Sequence, residues 1–596
     1  MKKLILSFAV AVLCGPATAQ QYIIVDNEMP ILASDVDKIT YEQDEQFGSR
    51  LLPAVLAADP KAQIFSGALQ ETGLAETLYN YEYEDYPPGE NYYTSTGDYS
   101  GNYRVYYYNV NRNKMFTMFV ETDDVLAAQG ISNIDQLKAY AKKVYDVVYP
   151  EDTDISDPKD SRNSFNRFMA YHILPFGCNY WNLTYYDGKQ TDKVVDTDMT
   201  DIAAWYGTVM SNASLKCSYP MGADSGVYLN RRGLKDGPDK YGKQIRGAKV
   251  VPGDSNDSDP FTHQAFNGYY FYIDRMLVYD KTTQEDVLGS ELWRVDFKAL
   301  SPDIMNNAED LRGNFYDSSD NPKNGKNYAY SFNCLENITA ENTTAPLLAS
   351  RAISYYSIYL CDEVWIPGVG GIFTIKLPPL PPGEWEIRMG TSAQNVRPHI
   401  RVSLNGQVTL DSLNLTLSYY DRDMPFGDMP FKKEILDYMV KIFFEITQKG
   451  DNQYLVRDIK TGETILLYHD PYRLLADYYI LDFAGTDPST GTDLDWNERA
   501  NTYRQQAIND YFNTVNLPKV MKAPDECRCN NGGSGNWISL SEYNICVRYP
   551  LGRITTDGKT DNFLRIESLS DGKPGANNEL AIDYFEFVPK PIYDNE

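Results

Sequence analysis

The densest run of apolar and aromatic positions spans residues 267–280, N-G-Y-Y-F-Y-I-D-R-M-L-V-Y-D. Asn267 and Gly268 open this run, and an Asn-Gly pair readily adopts positive φ in a tight turn. The aromatic and β-branched residues that follow are typical of a buried strand. Asp274 lies among them, and a buried carboxylate without partners is costly. We therefore expect Asp274 to bind a neighbouring loop or backbone amide.

Helical periodicity accounts for much of the remaining first half of the chain. Apolar residues recur at helical spacing over 63–78, 134–148 and 165–173, which predicts helices there. The tyrosine-rich, turn-prone segment 81–108 predicts an inserted hairpin, and the segment 151–160 predicts an acidic loop. The first half of the chain therefore has an α+β pattern.

The second half changes to the two-residue alternation of β-strands. Short alternating runs predict strands at 354–364, 372–377, 384–389 and 400–404. The pair Asn405-Gly406 follows the last of these runs and is a strong hairpin signal. Together these runs predict a sheet of short antiparallel strands.

A long segment, residues 411–561, interrupts this β pattern and is too long for a loop. Helical spacing over 431–447 and 498–515, with a hairpin pattern over 455–468, predicts a mixed α/β insertion within the β-domain.

The N-terminus has the features of a secretory signal peptide. Two lysines precede an apolar run, residues 4–13, and small residues stand at both ends of the triplet 17–19. The run is too short to cross a bilayer, so we expect cleavage after Ala19. Lipid anchoring at Cys14 is the alternative, although Leu13 is larger than the residue that normally precedes a lipidated cysteine. No later stretch is long and apolar enough to predict a transmembrane span.

The charge balance restricts the partners. The 596 residues include 83 acidic and 55 basic side chains, for a formal charge of −28. Nucleic acid and anionic membranes require a basic footprint, so neither is expected as a partner. The 48 tyrosines suit an extracellular β-protein, although most of them are expected simply to cover sheets. The chain length predicts two or three domains.

The sequence shows no motif of a common catalytic or metal site. It lacks G-x-S-x-G, H-E-x-x-H, P-loop and Rossmann patterns, and it has four histidines. We therefore predict no catalytic residue, no metal ligand and no cofactor. The acidic run 254–259 lacks the glycine and the final acid of a calcium loop. An exported compartment permits disulfides; the candidate pairs are Cys178 with Cys217, Cys334 with Cys361, and one pair among Cys527, Cys529 and Cys546.

The run at 267–280 resembles the closing motif of fasciclin domains, N-G-x-apolar-H-x-I-D-x-x-L. The matching residues are Asn267, Gly268, Ile273, Asp274 and Leu277. Phe271 stands where the family usually has histidine, which is a departure from the pattern.

Two further motifs stand upstream in the order that the family has them. Residues 116–126 resemble the first motif, T-x-F-x-P-T, through Thr117 and Phe119, with Glu121 in place of the proline. The pair Tyr171-His172 resembles the family's Tyr-His motif.

The resemblance implies a fasciclin-like domain with insertions over residues 51–285, after a lead-in at 20–50. It implies a structural role for seven motif residues: Thr117, Phe119, Tyr171, His172, Asn267, Gly268 and Asp274. His172 keeps two interpretations. It is a contact residue, because the Tyr-His region is linked with adhesion in some animal fasciclin proteins, or it is a buried histidine bonded to a nearby backbone group.

The β pattern of the second half resembles the galactose-binding-like jelly rolls that occur as carbohydrate-binding modules. The matching residues are Pro381, Gly383, Trp385, Ile387, Arg388 and Gly406, with closing strands expected at 563–566 and 581–589. The resemblance implies a jelly roll formed by residues 351–410 and 562–596, after a junction at 286–350.

The expected fold is therefore an α+β fasciclin domain followed by a mainly-β jelly-roll-like domain with a mixed α/β insertion. This arrangement resembles exported proteins of the Bacteroidetes type, often associated with outer-membrane glycan uptake. We expect a non-catalytic protein of the periplasm or cell surface that binds a glycan, or an outer-membrane or cell-surface protein. A structural or accessory subunit of an outer-membrane complex is the alternative, and a glycan-active enzyme is a third.

Candidate ligand-binding residues follow from how such modules hold sugars, by stacking pyranose faces on exposed aromatic rings. Trp365 precedes a Pro-Gly loop and is the expected ring, with Arg397 and His399 as nearby donors. Trp385 stands at an alternating strand position and is equally a candidate for the core.

Overall fold

The structure is a computed structural model of the 596-residue chain. It describes residues 22–23, 31–32, 48–81, 92–97, 103–108, 114–184, 202–220, 225–233, 237–239, 242–253, 261–306, 328–343, 345–351, 359, 362–366, 370–393, 397–415, 444–450, 453–459, 462–467, 520–524, 528–530, 537–539, 546–569 and 580–595. The predicted signal peptide and the predicted helix at 498–515 lie outside these residues, as does most of the predicted strand at 354–364.

Residues 1–50 form one unit, and residues 51–596 form a second, compact unit. In the first unit, strands β1 (Tyr22–Ile23) and β2 (Ile31–Leu32) pair antiparallel, and a short 3₁₀ helix follows at Gly48–Arg50. Within the second unit we call residues 51–285 the N-terminal region and residues 286–596 the C-terminal region.

The N-terminal region is organised around an eight-stranded mixed sheet in the order β6-β5-β12-β10-β9-β8-β7, with β11 added beside β12. Its strands are β5 (Phe116–Glu121), β6 (Ile173–Leu174), β7 (Ile202–Gly207), β8 (Ser214–Tyr219), β9 (Tyr228–Leu229), β10 (Ala248–Val251), β11 (His263–Ala265) and β12 (Gly268–Ile273). β5 and β12 run parallel. Of the predicted strand at 267–280, residues Gly268–Ile273 form β12 inside the sheet, and residues 274–280 follow it outside the strand.

The parallel pairing of β5 and β12 explains the glycine at position 268. Gly268 has a φ of +152°, which residues with a side chain rarely adopt. A Cβ there would lie 2.0 Å from the carbonyl oxygen of Phe116. The side chain of Asn267 accepts the Leu52 N–H at 2.8 Å and donates to the Leu78 carbonyl at 2.7 Å. The Asn-Gly pair therefore joins the sheet to the first helices.

The helices agree closely with the periodicity of the sequence. They are α1 (Leu52–Ala57), α2 (Gln63–Glu71), α3 (Leu74–Tyr79), α4 (Asp123–Ala128), α5 (Ile134–Val148), α6 (Ser164–Tyr171), α7 (Pro302–Asn306) and α8 (Lys590–Tyr593). Short 3₁₀ helices occur at Pro150–Asp152, Tyr180–Asn182, Phe297–Leu300 and Phe332–Cys334, and a π-helix at Thr283–Leu288. α5 begins after Asn133, whose side chain accepts the Gln136 N–H at 3.0 Å. The predicted helix at 134–148 is thus confirmed, with an N-cap that satisfies one of its free amides.

Two five-stranded sheets form much of the C-terminal region. The first has the order β13 (Trp293–Asp296), β31 (Tyr584–Pro589), β19 (Gly383–Ser392), β28 (Cys546–Thr556) and β25 (Met521–Lys522). The second has the order β15 (Ile338–Glu341), β18 (Ile372–Lys376), β29 (Phe563–Leu569), β20 (His399–Leu404) and β21 (Gln407–Asn414). All these pairings are antiparallel. Asn405 and Gly406 both have positive φ in the β20–β21 turn, as an Asn-Gly hairpin requires.

A six-stranded sheet combines segments from both regions. Its order is β3 (Tyr92–Gly97), β4 (Tyr103–Tyr108), β14 (Tyr328–Tyr330), β16 (Leu347–Arg351), β17 (Asp362–Ile366) and β30 (Leu580–Ile582). The predicted hairpin at 81–108 forms β3 and β4. Smaller sheets contain β22 (Phe444–Gly450), β23 (Gln453–Asp458) and β24 (Thr464–Leu467), and β26 (Arg528–Asn530) with β27 (Trp537–Ser539).

Three tryptophans join the cores of the two regions. The rings of Trp205 in β7 and Trp293 in β13 stack at 6.1 Å, and Trp385 in β19 meets Trp293 edge to face at 5.6 Å. Buried apolar side chains form one continuous cluster from Leu52 to Tyr593. The described part of the chain is mainly β, and its N-terminal and C-terminal regions share one core.

The described strands β22 to β28 lie inside the range predicted as an insertion, 411–561. β28 pairs along its length with β19, so it belongs to the first five-stranded sheet. β22 begins at Phe444, where the sequence predicted the end of a helix at 431–447. Cross-strand pairing of β22 with β23 decides the conformation there. The predicted hairpin at 455–468 is confirmed by β23 and β24.

Candidate functional site

Trp365 lies on the face of β17 that points away from the main core. Its cross-strand neighbour is Leu348 in β16, whose own neighbour is Ala329 in β14, and the indole packs against both. The alternate residues Val364 and Ile366 enter the main core. Strand alternation therefore leaves the indole half-buried at the surface of the six-stranded sheet.

Arg397 comes together with Trp365, although 32 positions separate them in the sequence (397 − 365). Its guanidinium carbon lies 5.3 Å from the centre of the indole, a cation–π contact. The side chain is only 1% exposed, and it donates to the Ser392 carbonyl at 3.1 Å and to Ser392 Oγ at 2.9 Å. The Nη2 atom of Arg397 lies 3.9 Å from Glu363 Oε2. Arg397 is therefore a buried group that holds one side of the Trp365 ring.

His399 does not join this pair. It begins β20 in the second five-stranded sheet, is half-buried, and its Nδ1 lies 3.4 Å from Ser412 Oγ. Trp385 is fully buried, and its Nε1–H donates to the Pro381 carbonyl at 3.1 Å. Of the ligand-binding residues expected from the sequence, the structure thus brings together Trp365 and Arg397.

Glu363 and Tyr549 complete the polar surroundings of Arg397. Glu363 lies two residues before Trp365 on the same face of β17, and it is buried. Burial raises the pKa of the Tyr549 hydroxyl in β28, and the nearby positive charge of Arg397 acts in the opposite direction. We call Trp365, Arg397, Glu363 and Ser392 the Trp365 site. Trp365 is the partly exposed member of this site, whereas Arg397, Glu363 and Ser392 are buried beside it, so the indole is the group that can contact the apolar face of a sugar ring.

Apart from Asp274, the fasciclin-like motif residues are buried within the fold. Thr117 Oγ1 donates to the Phe176 carbonyl at 2.8 Å and accepts the Cys178 N–H at 2.9 Å. The Tyr171 hydroxyl donates to the Ser214 carbonyl at 3.0 Å. Phe119 is buried, and its ring stacks on Phe271 at 5.9 Å. This stacking gives the phenylalanine at 271, where the motif usually has histidine, a place in the core.

His172 is fully buried, so it presents no surface for a partner. Its Nδ1 donates to the Phe168 carbonyl at 2.7 Å, and its Nε2 lies 2.9 Å from Glu121 Oε1. The same carboxylate oxygen accepts the Leu277 N–H at 2.9 Å. Of the two interpretations of His172, the structure places it in the second, bonded to a backbone carbonyl. Glu121, which replaces the motif's proline, is the partner that the sequence did not identify.

Asp274 lies just after β12 and is half-buried. Its Oδ1 accepts the Lys249 N–H at 2.9 Å, which is the backbone contact expected from the sequence. Its Oδ2 lies 2.6 Å from Arg246 Nη1, and Arg275 Nε approaches Oδ1 at 3.5 Å. Sequence reasoning missed both arginines, because neither belongs to the motif.

A second group missed from the sequence is an arginine–glutamate network on the first five-stranded sheet. Glu586 in β31 accepts from Arg294 Nη2 in β13 and from Arg548 Nη1 in β28, both at 2.7 Å. Arg388 in β19 lies 3.9 Å away and donates to Glu386 at 2.8 Å. Burial alone would raise the pKa of Glu586, but the charges of Arg548, Arg294 and Arg388 lower it to about 2.

The described residues give neither a metal cluster nor the predicted disulfide between Cys178 and Cys217, so that pairing was wrong. Among them, no three His, Cys, Asp or Glu side chains are grouped closely enough to hold a metal ion. Cys217 is a thiol in the structure, and burial, with the nearby Cys178, raises its pKa well above the ordinary value. Cys14, Cys361 and Cys527 lie outside the described residues.

Comparison with known proteins gives no relative from which a function can be transferred. No protein-family model matches the chain. No curated protein is significantly similar to it. Among the described helices, none has the length and apolar character needed to cross a bilayer.

Proposed function

We propose that the chain is an exported, non-catalytic binding protein of the cell envelope, and that its ligand is a glycan held at the Trp365 site. The observation that carries the proposal is the contact between Trp365 and Arg397. Arg397, whose guanidinium lies 5.3 Å from the ring centre, fixes a half-buried indole that can present its open part to the apolar face of a sugar ring.

The same proposal assigns the N-terminal region to a fasciclin-like domain and the two five-stranded sheets to a jelly-roll-like domain. The first assignment is supported by the burial of Thr117, Tyr171 and Asn267 around the β5–β12 pair. The second is supported by β29 and β31, which come from the C-terminal end and pair with β18, β20 and β19. Both assignments are therefore supported by burial and strand pairing within the chain.

Replacing Trp365 by alanine tests the site. We expect Trp365→Ala to leave the fold intact, because the indole lies outside the main core. It should weaken glycan binding by about 1–2 kcal/mol, the loss of one aromatic contact. A glycan array on the full-length protein supplies the ligand, and isothermal titration then compares the variant with the wild type.

Phe563→Ala is the matched control. Phe563 is an exposed aromatic residue in β29, also in the C-terminal region. Its loss should leave the affinity unchanged. If Trp365→Ala and Phe563→Ala bind equally well, the ligand does not use the Trp365 site. If the array returns no glycan, the accessory-subunit hypothesis replaces the glycan hypothesis.

A further inference from the structure

Three cationic side chains surround the ring of Tyr228 in the N-terminal region. The guanidinium carbons of Arg246 and Arg231 lie 5.6 Å and 5.9 Å from the ring centre, and Lys249 Nζ lies at 5.2 Å. The β9–β10 pairing explains the arrangement, because Lys249 and Tyr228 are direct cross-strand neighbours. The aromatic ring stabilises a concentration of positive charge that would otherwise repel itself.

Arg275 extends this positive surface beyond Tyr228. Asp274 lies between Arg246 and Arg275, at 2.6 Å and 3.5 Å, and the two arginine side chains are 40% and 46% exposed. Arg231 is buried, so we call Arg246, Lys249, Arg275 and Asp274 the cationic surface. The chain as a whole has a formal charge of −28.

An exposed tryptophan lies close to the cationic surface. Trp181 is 53% exposed and packs edge to face on Tyr180 at 5.1 Å. A Cβ placed on Gly226 would lie 3.1 Å from Lys249 Cε and 3.4 Å from the Tyr180 hydroxyl. Tyr180 therefore lies between the indole of Trp181 and the side chain of Lys249. Tyr180 is itself fixed, stacked on Phe261 at 4.1 Å.

From this arrangement we infer that the cationic surface and Trp181 bind an anionic polysaccharide, one with sulfate or carboxylate groups. Exposed arginines form paired hydrogen bonds with such groups, and an indole accepts the apolar face of a sugar ring. An acidic peptide would use the charges but has no need of the indole. The net charge of the chain does not forbid the contact, since charges farther than about 8 Å are largely screened at physiological ionic strength.

The inference is independent of the Trp365 site, and the test uses polymers that differ only in charge. Dextran sulfate and neutral dextran share one backbone, and polygalacturonate supplies carboxylates in place of sulfates. We expect the full-length protein to bind dextran sulfate, polygalacturonate or both, in a salt-sensitive manner, and not to bind dextran. The double variant Arg246→Gln/Arg275→Gln should bind the anionic polymer roughly tenfold more weakly, with a shallower salt dependence.

A variant with the same change of net charge elsewhere is the control. Arg457→Gln/Lys590→Gln removes two exposed cations that also have carboxylate partners, Glu445 and Glu384. This control should bind as the wild type does. Trp181→Ala should weaken polysaccharide binding severalfold, and Trp365→Ala should not affect it.

Several outcomes would overturn the inference. Equal losses in the test and control variants would show that only net charge matters. Binding of neutral dextran at the same strength would remove the role of charge, and stronger binding of polyglutamate than of either anionic polysaccharide would identify an acidic peptide as the ligand. Because Arg246→Gln also removes a partner of Asp274, the single variant Arg275→Gln, with thermal unfolding measured alongside, separates lost binding from lost folding.

Discussion

The Asn267 and Thr117 contacts of the N-terminal region and the Glu586 network of the C-terminal region fix their buried polar groups in different ways. In the N-terminal region, uncharged side chains such as Asn267 and Thr117 bond backbone amides and carbonyls of neighbouring elements. In the C-terminal region, Arg294 and Glu586 form an ion pair across strands that are 292 positions apart. The first arrangement leaves a recognisable motif in the sequence, whereas the second leaves only scattered charges.

The difference has an energetic consequence. A neutral side chain that bonds to a backbone group contributes about 1 kcal/mol net and is insensitive to pH. A buried ion pair carries a large desolvation cost, which is offset only while every member stays charged. We therefore expect the contacts of Asn267 and Thr117 to be insensitive to pH and the Glu586 network to depend on it.

Gly268→Ala should have the largest effect. A Cβ at this position would lie 2.0 Å from the Phe116 carbonyl oxygen, and the φ of +152° is unfavourable for alanine. The parallel β5–β12 pair would have to separate, so we expect a loss of more than about 4 kcal/mol in the free energy of unfolding. Chemical denaturation followed by circular dichroism measures it.

Gly130→Ala is the control for this change. Gly130 also has positive φ, +76°, but no atom lies within 4 Å of a Cβ there. Its replacement should cost about 1 kcal/mol, the backbone term alone. If Gly268→Ala were no worse than Gly130→Ala, the close approach of β5 to β12 would not be what requires glycine.

Acid should destabilise the protein mainly by protonating Glu586 in the arginine–glutamate network of the C-terminal region. The native pKa of Glu586 is about 2, below its ordinary value of 4.5, so its ionised form stabilises the fold fully above pH 4.5. This contribution, on the order of 3 kcal/mol, is lost as the pH falls from 4.5 towards 2. Urea denaturation at several pH values should show a steeper loss for the wild type than for Glu586→Gln.

An exposed glutamate separates this effect from general acid destabilisation. Glu445 pairs with Arg457 at the surface, so Glu445→Gln should keep the wild-type pH dependence. Glu586→Gln should already be less stable at pH 7, because it leaves the buried Arg294 and Arg388 and the partly buried Arg548 around a neutral side chain. Parallel pH profiles for the wild type and Glu586→Gln would contradict the proposed role of the network.

The elements that could be predicted from the sequence are those whose cause is local. The helix at 134–148 is fixed by its own periodicity and by the Asn133 cap, and the Asn405-Gly406 turn by the positive φ that both residues adopt. In both cases, a few adjacent residues carry the signal. The contact between Trp365 and Arg397 was also expected, although 32 positions separate the two residues (397 − 365) and its cause is not local.

What could not be predicted depends on contacts between distant segments. Glu121 follows no motif, and its partner His172 lies 51 positions away. β28 lies inside the predicted insertion, and only its pairing with β19 identifies it as part of the sheet. Arg246, in the same way, became part of the cationic surface only when β10 and β12 placed it beside Asp274.

Asp274 combines both kinds of contact, and its replacement should have the smallest effect on stability. Asp274→Asn keeps an oxygen for the Lys249 N–H but removes the negative charge beside Arg246 and Arg275. Because these arginines are partly exposed, we expect a loss of about 0.5–1 kcal/mol. Asp274→Ala also removes the acceptor, and it should cost a further 1 kcal/mol or so.

The same change should strengthen polyanion binding. Without the Asp274 carboxylate, the cationic surface has one negative charge fewer, and Arg246 no longer shares its guanidinium with that carboxylate. Asp274→Asn should therefore be slightly less stable than the wild type, yet bind dextran sulfate a fewfold more tightly. Titrations of both proteins at one salt concentration measure this. If Asp274→Asn loses affinity in proportion to its loss of stability, the aspartate acts only by holding β10 beside β12.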